Sequence, residues 1–371
     1  MDISDFPAPH IPELLPIPEI VKAILSDYDF LGLNFEAQSK LSEFIGYLQN
    51  LPNPDILVSA LTLQESVLSS RIEGTLATIS DVVRDDPENE TMKNDIVEIM
   101  NYHQAMLYGQ RDLVDRNHRF SKNFICTLHA ILMTNNVRGA HKDPGKFKTE
   151  QNYIRNDELG NFTPLPAYLT DEYIENLVEY MNDSKEPSSL LQAAIIHAQF
   201  EMIHPFEDGN GRVGRLIIPL FLYNRNTIPF PTFYISRYFA EFDSEYKKKL
   251  FNLSKTDAHD ESQLICYWRE WSTFFFKGVI EESQHHIEMS KRIIALYDEV
   301  KKSLKRTDQY EIVDYLFNNL NIIPVEFLKN TKLSKSTVYS TLRQLEDLGY
   351  VVRMGTERKS KFVFQKLIDT I

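Results

Sequence analysis

The sequence predicts a mainly α-helical protein with one small β-hairpin in its core and a separate C-terminal module of helices and strands. Three observations lead to this prediction. Most apolar residues recur at three- and four-residue spacing, which is typical of helices that bury one face. Short strand patterns bounded by turn residues occur at 145–167 and again after Tyr350. A chain of 371 residues, 43% of them hydrophobic, is long enough for two or three domains with their own cores.

The chain divides into four predicted segments. Residues 1–110 form an N-terminal helical region, 111–280 a helical core, 281–306 a charged helical connector and 307–371 the C-terminal module. Residues 1–18 hold five prolines among acidic and apolar residues, which predicts an extended arm laid over the body. A floppy terminus is the alternative interpretation of this arm.

Composition excludes several classes of protein. The net charge of −13 argues against a chain-wide attraction to nucleic acid or an anionic membrane. Cys126 and Cys266 share no repeated spacing, so we expect buried free thiols in a reducing compartment. The sequence has no secretory leader pattern and no apolar run of about 18 residues that could span a bilayer. We therefore expect a soluble, cytoplasmic protein without a membrane partner.

Apolar residues at helical spacing predict a series of helices in the first three segments. In chain order they are 20–45, 56–73, 95–108, 121–133, 170–181, 188–203, 216–223, 268–277 and 281–305. Gly74 is a natural C-terminal stop for the helix at 56–73. Pro205 ends the helix at 188–203.

The C-terminal module has its own pattern. It predicts helices 309–320, 325–330 and 334–348, a stop at Gly349, and strands 350–354 and 361–365 joined by a polar turn. This order resembles a winged helix-turn-helix, with residues 334–341 at the start of the recognition helix. Residues 307–371 hold 9 Lys and Arg against 8 Asp and Glu, a net charge of only +1. Since DNA readers usually show a clearer basic face, DNA contact and protein docking both stay open.

The residues with the most chemical character lie at 204–215 and read His-Pro-Phe-Glu-Asp-Gly-Asn-Gly-Arg-Val-Gly-Arg. Gly209 and Gly211 flank Asn210 and permit backbone angles that let successive N–H groups point into one concavity. This anion nest opens a predicted helix, whose N-terminal end carries partial positive charge and unpaired amides. The segment is therefore a predicted phosphate site.

Side chains around the nest suit nucleotide chemistry. Arg212 and Arg215, three residues apart, can each fork onto phosphate oxygens. Asp208 is a hard oxygen ligand of the kind that Mg2+ takes together with substrate phosphates. His204 would lie at the rim as a general base. Each feature alone is usually structural, but together and in this order they indicate nucleotidyl transfer.

At these residues the chain resembles the Fic family, and residues 204–215 match its signature, His-x-Phe-x-Asp/Glu-Gly-Asn-Gly-Arg-x-x-Arg, at every specified position. The resemblance implies an all-helical catalytic core at 111–280 and a nucleotidyltransferase that moves AMP from ATP to a Ser, Thr or Tyr hydroxyl. The acceptor would be a target protein or the enzyme itself. By analogy, His204 deprotonates the hydroxyl, Asp208 holds Mg2+, and the ATP contacts are Gly209, Asn210, Gly211, Arg212, Val213, Gly214 and Arg215.

A second resemblance concerns the helix at 56–73, which ends Ser69-Ser70-Arg71-Ile72-Glu73-Gly74. It is similar to the Fic inhibitory motif, Ser/Thr-x-x-x-Glu-Gly/Asn, here in the N-terminal region. By analogy, Glu73 would pair with Arg215 and keep ATP from its productive pose, while Ser69 fixes the helix. The resemblance thus implies an autoinhibited ground state. The same carboxylate could instead align water to remove AMP, and the sequence does not separate these roles.

Two further parts of the site follow from the same resemblance. By position, 145–167 resembles the Fic flap, which clamps a target segment by strand pairing, with Ile154 near the tip as the clamp. Residues 234–238 resemble the segment that flanks the nucleoside, so Tyr238 is a predicted ATP contact. The family often has an Asn and paired tyrosines shortly afterwards, where this chain has Phe242 and Tyr246.

Two other functions remain alternatives at this point. One is another Fic-type nucleotide or phosphoryl transfer from the same nest. The other is a DNA-binding regulator that senses ATP without transferring any part of it. The target protein, the modified side chain and the formation of a homodimer are not fixed by the sequence.

Overall fold

The structure is a computed structural model of the chain. It describes all residues except 1–4, 51–52, 86, 88, 116–118, 136, 138–141, 184, 256–259 and 356–359. Among the described residues, no helix combines the length and the apolar character needed to cross a bilayer. Cys126 and Cys266 are free, as predicted, but they are half-buried rather than buried.

Among the described residues up to Ser303, helices are the predominant secondary structure, as predicted. The helices are α1 (Pro18–Leu25), α2 (Tyr28–Gln49), α3 (Asp55–Ile72), α4 (Ile79–Arg84), α5 (Glu90–Asp115), α6 (Lys122–Leu132), α7 (Thr170–Asp183), α8 (Ser189–Ile203), α9 (Asn210–Asn224), α10 (Ser236–Glu241), α11 (Asp243–Lys255) and α12 (Glu261–Ser303). The single helix predicted at 20–45 is divided into α1 and α2, because Asp27 caps a new helix by accepting from the Asp29 and Phe30 amides.

Helices α8 and α9 form the centre of the core. Both are buried on nearly all sides, which suits their almost continuous apolar sequence. Helices α7, α11 and α12 pack against α8, while α3, α5 and α6 pack against α9. The loop between these two central helices therefore lies where elements from the whole chain converge.

Helix α12 differs most from its prediction, since it runs unbroken through the expected gap between 268–277 and 281–305. Gly278 does not end it. A Cβ there would lie 2.7 Å from Tyr238 Cδ1 and 2.9 Å from Ile235 Cδ1, so the glycine lets α10 approach closely. The second half of α12 buries one face, because Ile293 and Val300 are buried and the helix packs along α2.

The C-terminal residues contain α13 (Tyr310–Asn319), β1 (Asn321–Ile322), α14 (Pro324–Phe327), α15 (Lys335–Asp347), β2 (Val352–Met354), β3 (Lys361–Val363) and α16 (Gln365–Ile368). The strands form one antiparallel sheet in the order β1-β3-β2, with Ile322 opposite Phe362 and Arg353 also opposite Phe362. Strand β1 and helix α16 are additions to the predicted elements. Part of the predicted polar turn, 356–359, lies outside the described residues. The assignment as a winged helix-turn-helix stays a prediction.

The predicted hairpin at 145–167 is reduced to one antiparallel bridge, in which Ile154 and Phe162 exchange two backbone hydrogen bonds of 2.9 Å. The described part of the N-terminal arm before α1, residues 5–17, contains no α-helix or strand and lies against this hairpin. His10 N donates to Thr163 O at 2.9 Å, and Thr163 Oγ1 donates to Pro7 O at 2.7 Å. The arm therefore supports the hairpin strand that contains Phe162.

Candidate active site

The loop between α8 and α9 is a sharp reversal. His204 ends α8 in the left-handed region, with φ 48° and ψ 61°, and Gly209 takes the same region at φ 76° just before α9. The buried side chain of Asn210 closes the loop. Its Oδ1 accepts from Phe206 N at 2.8 Å, and its Nδ2 donates to Phe206 O at 2.8 Å. The Asn210 amide is therefore committed to the loop, and its backbone N–H is the group left for a phosphate.

Replacing Asn210 with alanine is expected to lower the free energy of unfolding by about 1–3 kcal/mol, because the buried Phe206 N–H loses its partner, whereas Phe206 O keeps a hydrogen bond from Asn152. Urea denaturation measures this change. The same exchange at the exposed Asn50, whose side-chain Nδ2 donates to Gly46 O of its own helix, is the control and should have little effect. Equal stability of the two variants would show that the loop does not depend on the Asn210 side chain.

Phe206 is held by an unforeseen histidine. The rings of His129 and Phe206 stack with centroids 3.8 Å apart and planes 6° apart. His129 Nδ1 accepts from Gly145 N at 2.8 Å, which leaves Nε2 to donate to Asp208 O at 3.0 Å. Burial lowers the pKa of His129 to about 4, so the ring is neutral and keeps this tautomer. His129 thus fixes both the Phe206 ring and the Asp208 carbonyl, which lies just before the nest.

Two residues at the base of the hairpin also hold the loop. Lys148 Nζ donates to Ile203 O at 3.0 Å and to Asn152 Oδ1 at 2.9 Å. Asn152 Nδ2 in turn donates to His204 O and to Phe206 O, both at 3.0 Å. Burial lowers the pKa of Lys148 to about 7. Side-chain hydrogen bonds therefore join the hairpin to the loop between α8 and α9.

The structure brings Glu73 and Arg215 together, the pairing that the resemblance to the Fic inhibitory motif implied. Arg215 Nη2 donates to Glu73 Oε1 at 2.7 Å and to Ser69 O at 3.0 Å, and its Nε donates to Ser69 Oγ at 2.8 Å. The Glu73 carboxylate also covers the nest, because a Cβ on Gly211 would lie 2.5 Å from Glu73 Oε1. Burial lowers the pKa of Arg215, but the charge and hydrogen bond of Glu73, together with the interactions with Tyr246 and Tyr102, outweigh burial and the net shift is upward.

Helix α3 is anchored so that it presents Glu73 to the nest. Glu65 Oε1 accepts from Tyr102 Oη at 2.9 Å and from Ser236 Oγ at 2.5 Å, and Thr62 shares a 2.9 Å hydrogen bond with Tyr234. Burial raises the pKa of Glu65 to about 7, against the effect of these hydrogen bonds. The hydrogen bonds of Glu65 with Tyr102 and Ser236 tie α3 to α5 and α10.

Arg212 has a different environment from Arg215. Its guanidinium is 1% exposed and pairs with Glu98 on α5. Its Nη2 lies 4.0 Å from Asp208 Oδ1 and 3.6 Å from Met133 Sδ. Of the two predicted phosphate ligands, the structure therefore places Arg215 against Glu73 at the nest and Arg212 in a buried ion pair behind it.

Val213 and Gly214 lie on the buried side of α9. A Cβ on Gly214 would collide with Glu201 Oε1 and would lie 3.2 Å from His197 Nδ1. Gly214 thus allows α8 to approach α9 closely, and its predicted contact with ATP rests on its backbone. His197 is fully buried, and its Nε2 lies 2.9 Å from Tyr246 Oη.

His204 lies beside a buried carboxyl group. Its side chain is 20% exposed, and its Nδ1 is 4.0 Å from Glu201 Oε2. Burial, and then the positive charge of Lys148, lower the pKa of His204 to about 4, so the imidazole is neutral at neutral pH and can accept a proton. Burial raises the pKa of Glu201 to about 7, although the charge of Arg215 acts in the opposite direction.

The raised pKa of Glu201 makes stability depend on pH. Between pH 4.5 and about 7 the folded protein keeps a proton on this carboxyl that the unfolded chain has lost, so stability falls as pH rises. Relative to Glu201→Gln, the wild type is expected to lose up to about 3 kcal/mol of unfolding free energy across this window. Urea denaturation at several pH values measures the difference, with Glu179→Gln on the exposed face of α7 as the control. A pH-independent difference would contradict the assignment.

Asp208 is the candidate metal ligand. Its side chain is 30% exposed, its Oδ1 accepts from Gly209 N at 2.7 Å, and its Oδ2 lies 3.5 Å from Lys142 Nζ. Within the described ranges, no group of three His, Cys, Asp or Glu residues could hold a metal by itself. Asp208 alone nevertheless suits Mg2+, which commonly takes one or two carboxylates and completes its shell with phosphates and water.

Two cavities concern the remaining predicted residues. Ile154 lines a cavity of about 290 Å3 that also contains His204, between the hairpin and α11. Tyr238 does not line it. It is 4% exposed, packs on Phe274 with ring centroids 4.9 Å apart, and lines a separate groove of about 620 Å3 with Phe242. The structure therefore joins Ile154, but not Tyr238, to the cavity beside His204.

Comparison with known families identifies two regions of the chain. A family model described as Fic/DOC family matches residues 119–222, and one described as Fic/DOC family N-terminal matches residues 31–111. The chain is 26% identical over 162 residues to a probable protein adenylyltransferase of Aquifex aeolicus, covering 43% of this chain and 47% of that protein. It is 27% identical over 196 residues to the protein adenylyltransferase fic-1 of Caenorhabditis elegans, covering 51% and 35%. The chain thus spans less than half the length of these curated relatives.

Two solved structures are similar in fold. A Fic family protein from Desulfovibrio desulfuricans G20 has a TM-score of 0.54 at 17% identity, covering 96% of this chain and 98% of that one. A Fic domain containing signaling protein from Bacteroides thetaiotaomicron has a TM-score of 0.52 at 18% identity, covering 67% and 97%. At these identities the likeness concerns the fold alone.

Proposed function

This chain belongs to the Fic/DOC family, and we propose that it is a protein adenylyltransferase that transfers AMP from ATP to a hydroxyl side chain of a protein. One observation carries the proposal. The nest at the start of α9, with Arg215 beside it, lies one tight loop away from a neutral imidazole on His204. A phosphate site and a proton acceptor so close together suit the transfer of a nucleotide to a hydroxyl.

In the proposed reaction, the acceptor hydroxyl gives its proton to His204 while its oxygen attacks the α-phosphorus of ATP. A new phosphorus–oxygen bond forms, the bond to the β-phosphate bridging oxygen breaks, and pyrophosphate leaves. The backbone N–H groups at the start of α9 and the Arg215 guanidinium would hold the phosphates and stabilise their developing charge. Because Lys148 and Asn152 bind the carbonyls around His204, the imidazole needs little rearrangement to act.

Asp208 would hold Mg2+ in this site. A bound Mg2+ would neutralise phosphate charge and help to orient the leaving group. The Asp208 carboxylate borders the nest and is partly exposed, so a metal that arrives with ATP could bind to it. Lys142, 3.5 Å away, would give up its contact with Asp208 when the metal binds.

We also propose that the protein is autoinhibited through Glu73. Its carboxylate lies over Gly211 and pairs with Arg215, where a phosphate of productively bound ATP would otherwise lie. An anion in that position repels the triphosphate and occupies the guanidinium that would bind it. Because α3 is fixed through Thr62 and Glu65, this arrangement is the resting one.

The C-terminal residues 307–371 are proposed to be a winged helix-turn-helix. The order of α13, α14 and α15 before two paired strands supports this assignment. The exposed face of α15 carries Lys335 and Arg343 as well as Asp347, so its charge does not favour DNA over a protein partner.

The group transferred distinguishes this proposal from phosphoryl transfer and from ATP sensing. The Glu73→Gly variant is incubated with ATP labelled at either the α- or the γ-phosphate, and protein-bound label is measured. Adenylyl transfer retains only the α-label on protein. Retention of the γ-label instead would mean phosphoryl transfer, and ATP binding without any protein-bound label would favour a nucleotide sensor.

A further inference from the structure

A cavity lies between the first half of α3 and the C-terminal residues. It encloses about 410 Å3, within the range of about 300–1,000 Å3 that small-molecule sites occupy. Helices α3, α4 and α5 line it on one side, and the end of α13 and the start of β1 line it on the other. The α3 residues that line it lie within 58–63, about 15 Å or more along the helix axis from Glu73. The cavity is therefore separate from the nest and from His204.

The walls of this cavity are uncharged. The described residues that line it include no Lys, Arg, Asp or Glu. Burial lowers the pKa of His103 on α5, so its ring is neutral at neutral pH. Met100 and Leu107 of the same helix also line the cavity and are 38% and 42% exposed, so they form an apolar rim. A charged occupant would lose its hydration here without gaining a counter-charge.

Two buried polar atoms belong to residues on opposite sides of the cavity. In the part of the chain that the structure describes, His103 Nδ1 on α5 and Asn318 Oδ1 on α13 have no hydrogen-bond partner. Buried polar atoms in folded proteins almost always have one. Because the Asn318 oxygen can only accept, an N–H or O–H group of an occupant would satisfy it.

We infer that this cavity binds an uncharged, largely apolar small molecule that donates a hydrogen bond to Asn318, and that the bound molecule holds α3 in its inhibitory position. The binding site stands on the walls of the cavity alone. The effect on α3 rests on the proposed AMP transfer and its inhibition through Glu73.

Helix α3 itself connects the cavity to Glu73. It packs against α13, and its Gln64 Nε2 donates to Ile371 O at 2.7 Å. Thr62, which lines the cavity, also shares the 2.9 Å hydrogen bond with Tyr234. A ligand between α3 and α13 adds contacts to both helices. It therefore favours the arrangement in which Glu73 covers the nest.

Calorimetry with tryptophol tests the site. Tryptophol is an uncharged indole that carries one N–H and one O–H donor, and indoleacetate has the same ring with a carboxylate. Tryptophol is expected to bind the wild-type chain in one saturable step. Indoleacetate is expected to bind at least about tenfold more weakly, because its charge finds no partner in the cavity.

Two wall variants locate the bound molecule. Asn318→Leu removes the acceptor and is expected to weaken tryptophol binding about 3- to 10-fold, the factor that one neutral hydrogen bond contributes. Ser59→Phe, on the α3 side, fills part of the cavity and should weaken binding as well, so it serves if Asn318→Leu does not fold. The matched control is Asn330→Leu, because Asn330 is exposed among the C-terminal residues and does not line the cavity.

The effect on α3 is measured as the initial rate of AMP transfer. Saturating tryptophol is expected to lower the wild-type rate about fivefold or more, which is the usual size of coupling between two sites. It should leave the rate of Glu73→Gly unchanged, because that variant lacks the carboxylate that α3 presents. Equal inhibition of both proteins, or none of the wild type, would contradict the coupling to Glu73.

The site itself would be overturned if tryptophol showed no saturable binding up to its solubility limit, or bound both wall variants as tightly as the wild type. Equal affinity for indoleacetate would overturn the uncharged class of ligand. Failure of the proposed function is a different result, in which neither the wild type nor Glu73→Gly transfers AMP. The coupling to AMP transfer then falls with that function, while calorimetry still decides the binding site.

Discussion

The Glu73→Gly variant is expected to transfer AMP about 10- to 100-fold faster than the wild type. The substitution removes the carboxylate that pairs with Arg215 at 2.7 Å and covers Gly211. A hydrogen bond to a charged group contributes about 1.5–3 kcal/mol, and each 1.4 kcal/mol is a factor of ten. Since Glu73 is 32% exposed, solvent screening favours the lower part of this range.

Initial rates of protein labelling with α-labelled ATP measure this effect. Glycine at position 73 also loosens the end of α3, so Arg71→Gly, two residues earlier on the exposed side of the same turn, is the matched control. Release through the lost carboxylate predicts faster transfer in Glu73→Gly alone. Equal acceleration in both variants would mean that fraying of α3 is responsible, and no acceleration in either would remove the inhibitory role of Glu73.

The His204→Ala substitution in the Glu73→Gly background is expected to lower AMP transfer about 10²- to 10⁴-fold. His204 is the neutral imidazole at the loop between α8 and α9, and a positioned general base contributes a factor of this size. The measurement is the initial rate of labelling at saturating ATP, together with ATP affinity determined by calorimetry.

The His204→Ala variant should bind ATP almost as well as its parent, because His204 is not among the groups proposed to hold phosphates. His129→Ala is a useful comparison, since His129 supports Phe206 and Asp208 from behind the loop. That variant should lose stability as well as activity. Substantial transfer by His204→Ala would show that another group accepts the proton.

The contact between Glu73 and Arg215, 142 residues apart in the chain, was implied by the resemblance of residues 69–74 and 204–215 to two motifs of the Fic family. Without that resemblance, Glu73 would have been interpreted as a solvated carboxylate at a helix end. The local conformation of the loop was also predictable, because Gly209 has the positive φ that its place before a helix requires.

The residues that support the site could not be found in this way. His129, Lys148, Asn152 and Glu98 come from three separate segments, and each binds the loop or α9 through a long-range contact. A lone buried histidine or lysine has no local spacing that marks it as a partner of a distant carbonyl. Only the packing of the hairpin, α5 and α6 around α9 reveals these roles.

Long-range packing also explains the error at α12. The apolar run at 268–277 and the charged run after 281 differ in composition, so the sequence favoured a break between them. In the structure Gly278 fits against Tyr238, and the charged run buries Ile293 and Val300 against α2.

The central claim is that the nest, Arg215 and His204 together transfer AMP once Glu73 is removed. Intact-mass analysis of Glu73→Gly after incubation with ATP and Mg2+ tests it most directly, beside the wild type and the Glu73→Gly, His204→Ala double variant. We predict that Glu73→Gly gains the mass of at least one AMP group and that the double variant does not. An unchanged mass for folded, ATP-bound Glu73→Gly, with no AMP on an added protein or peptide acceptor, would contradict the account.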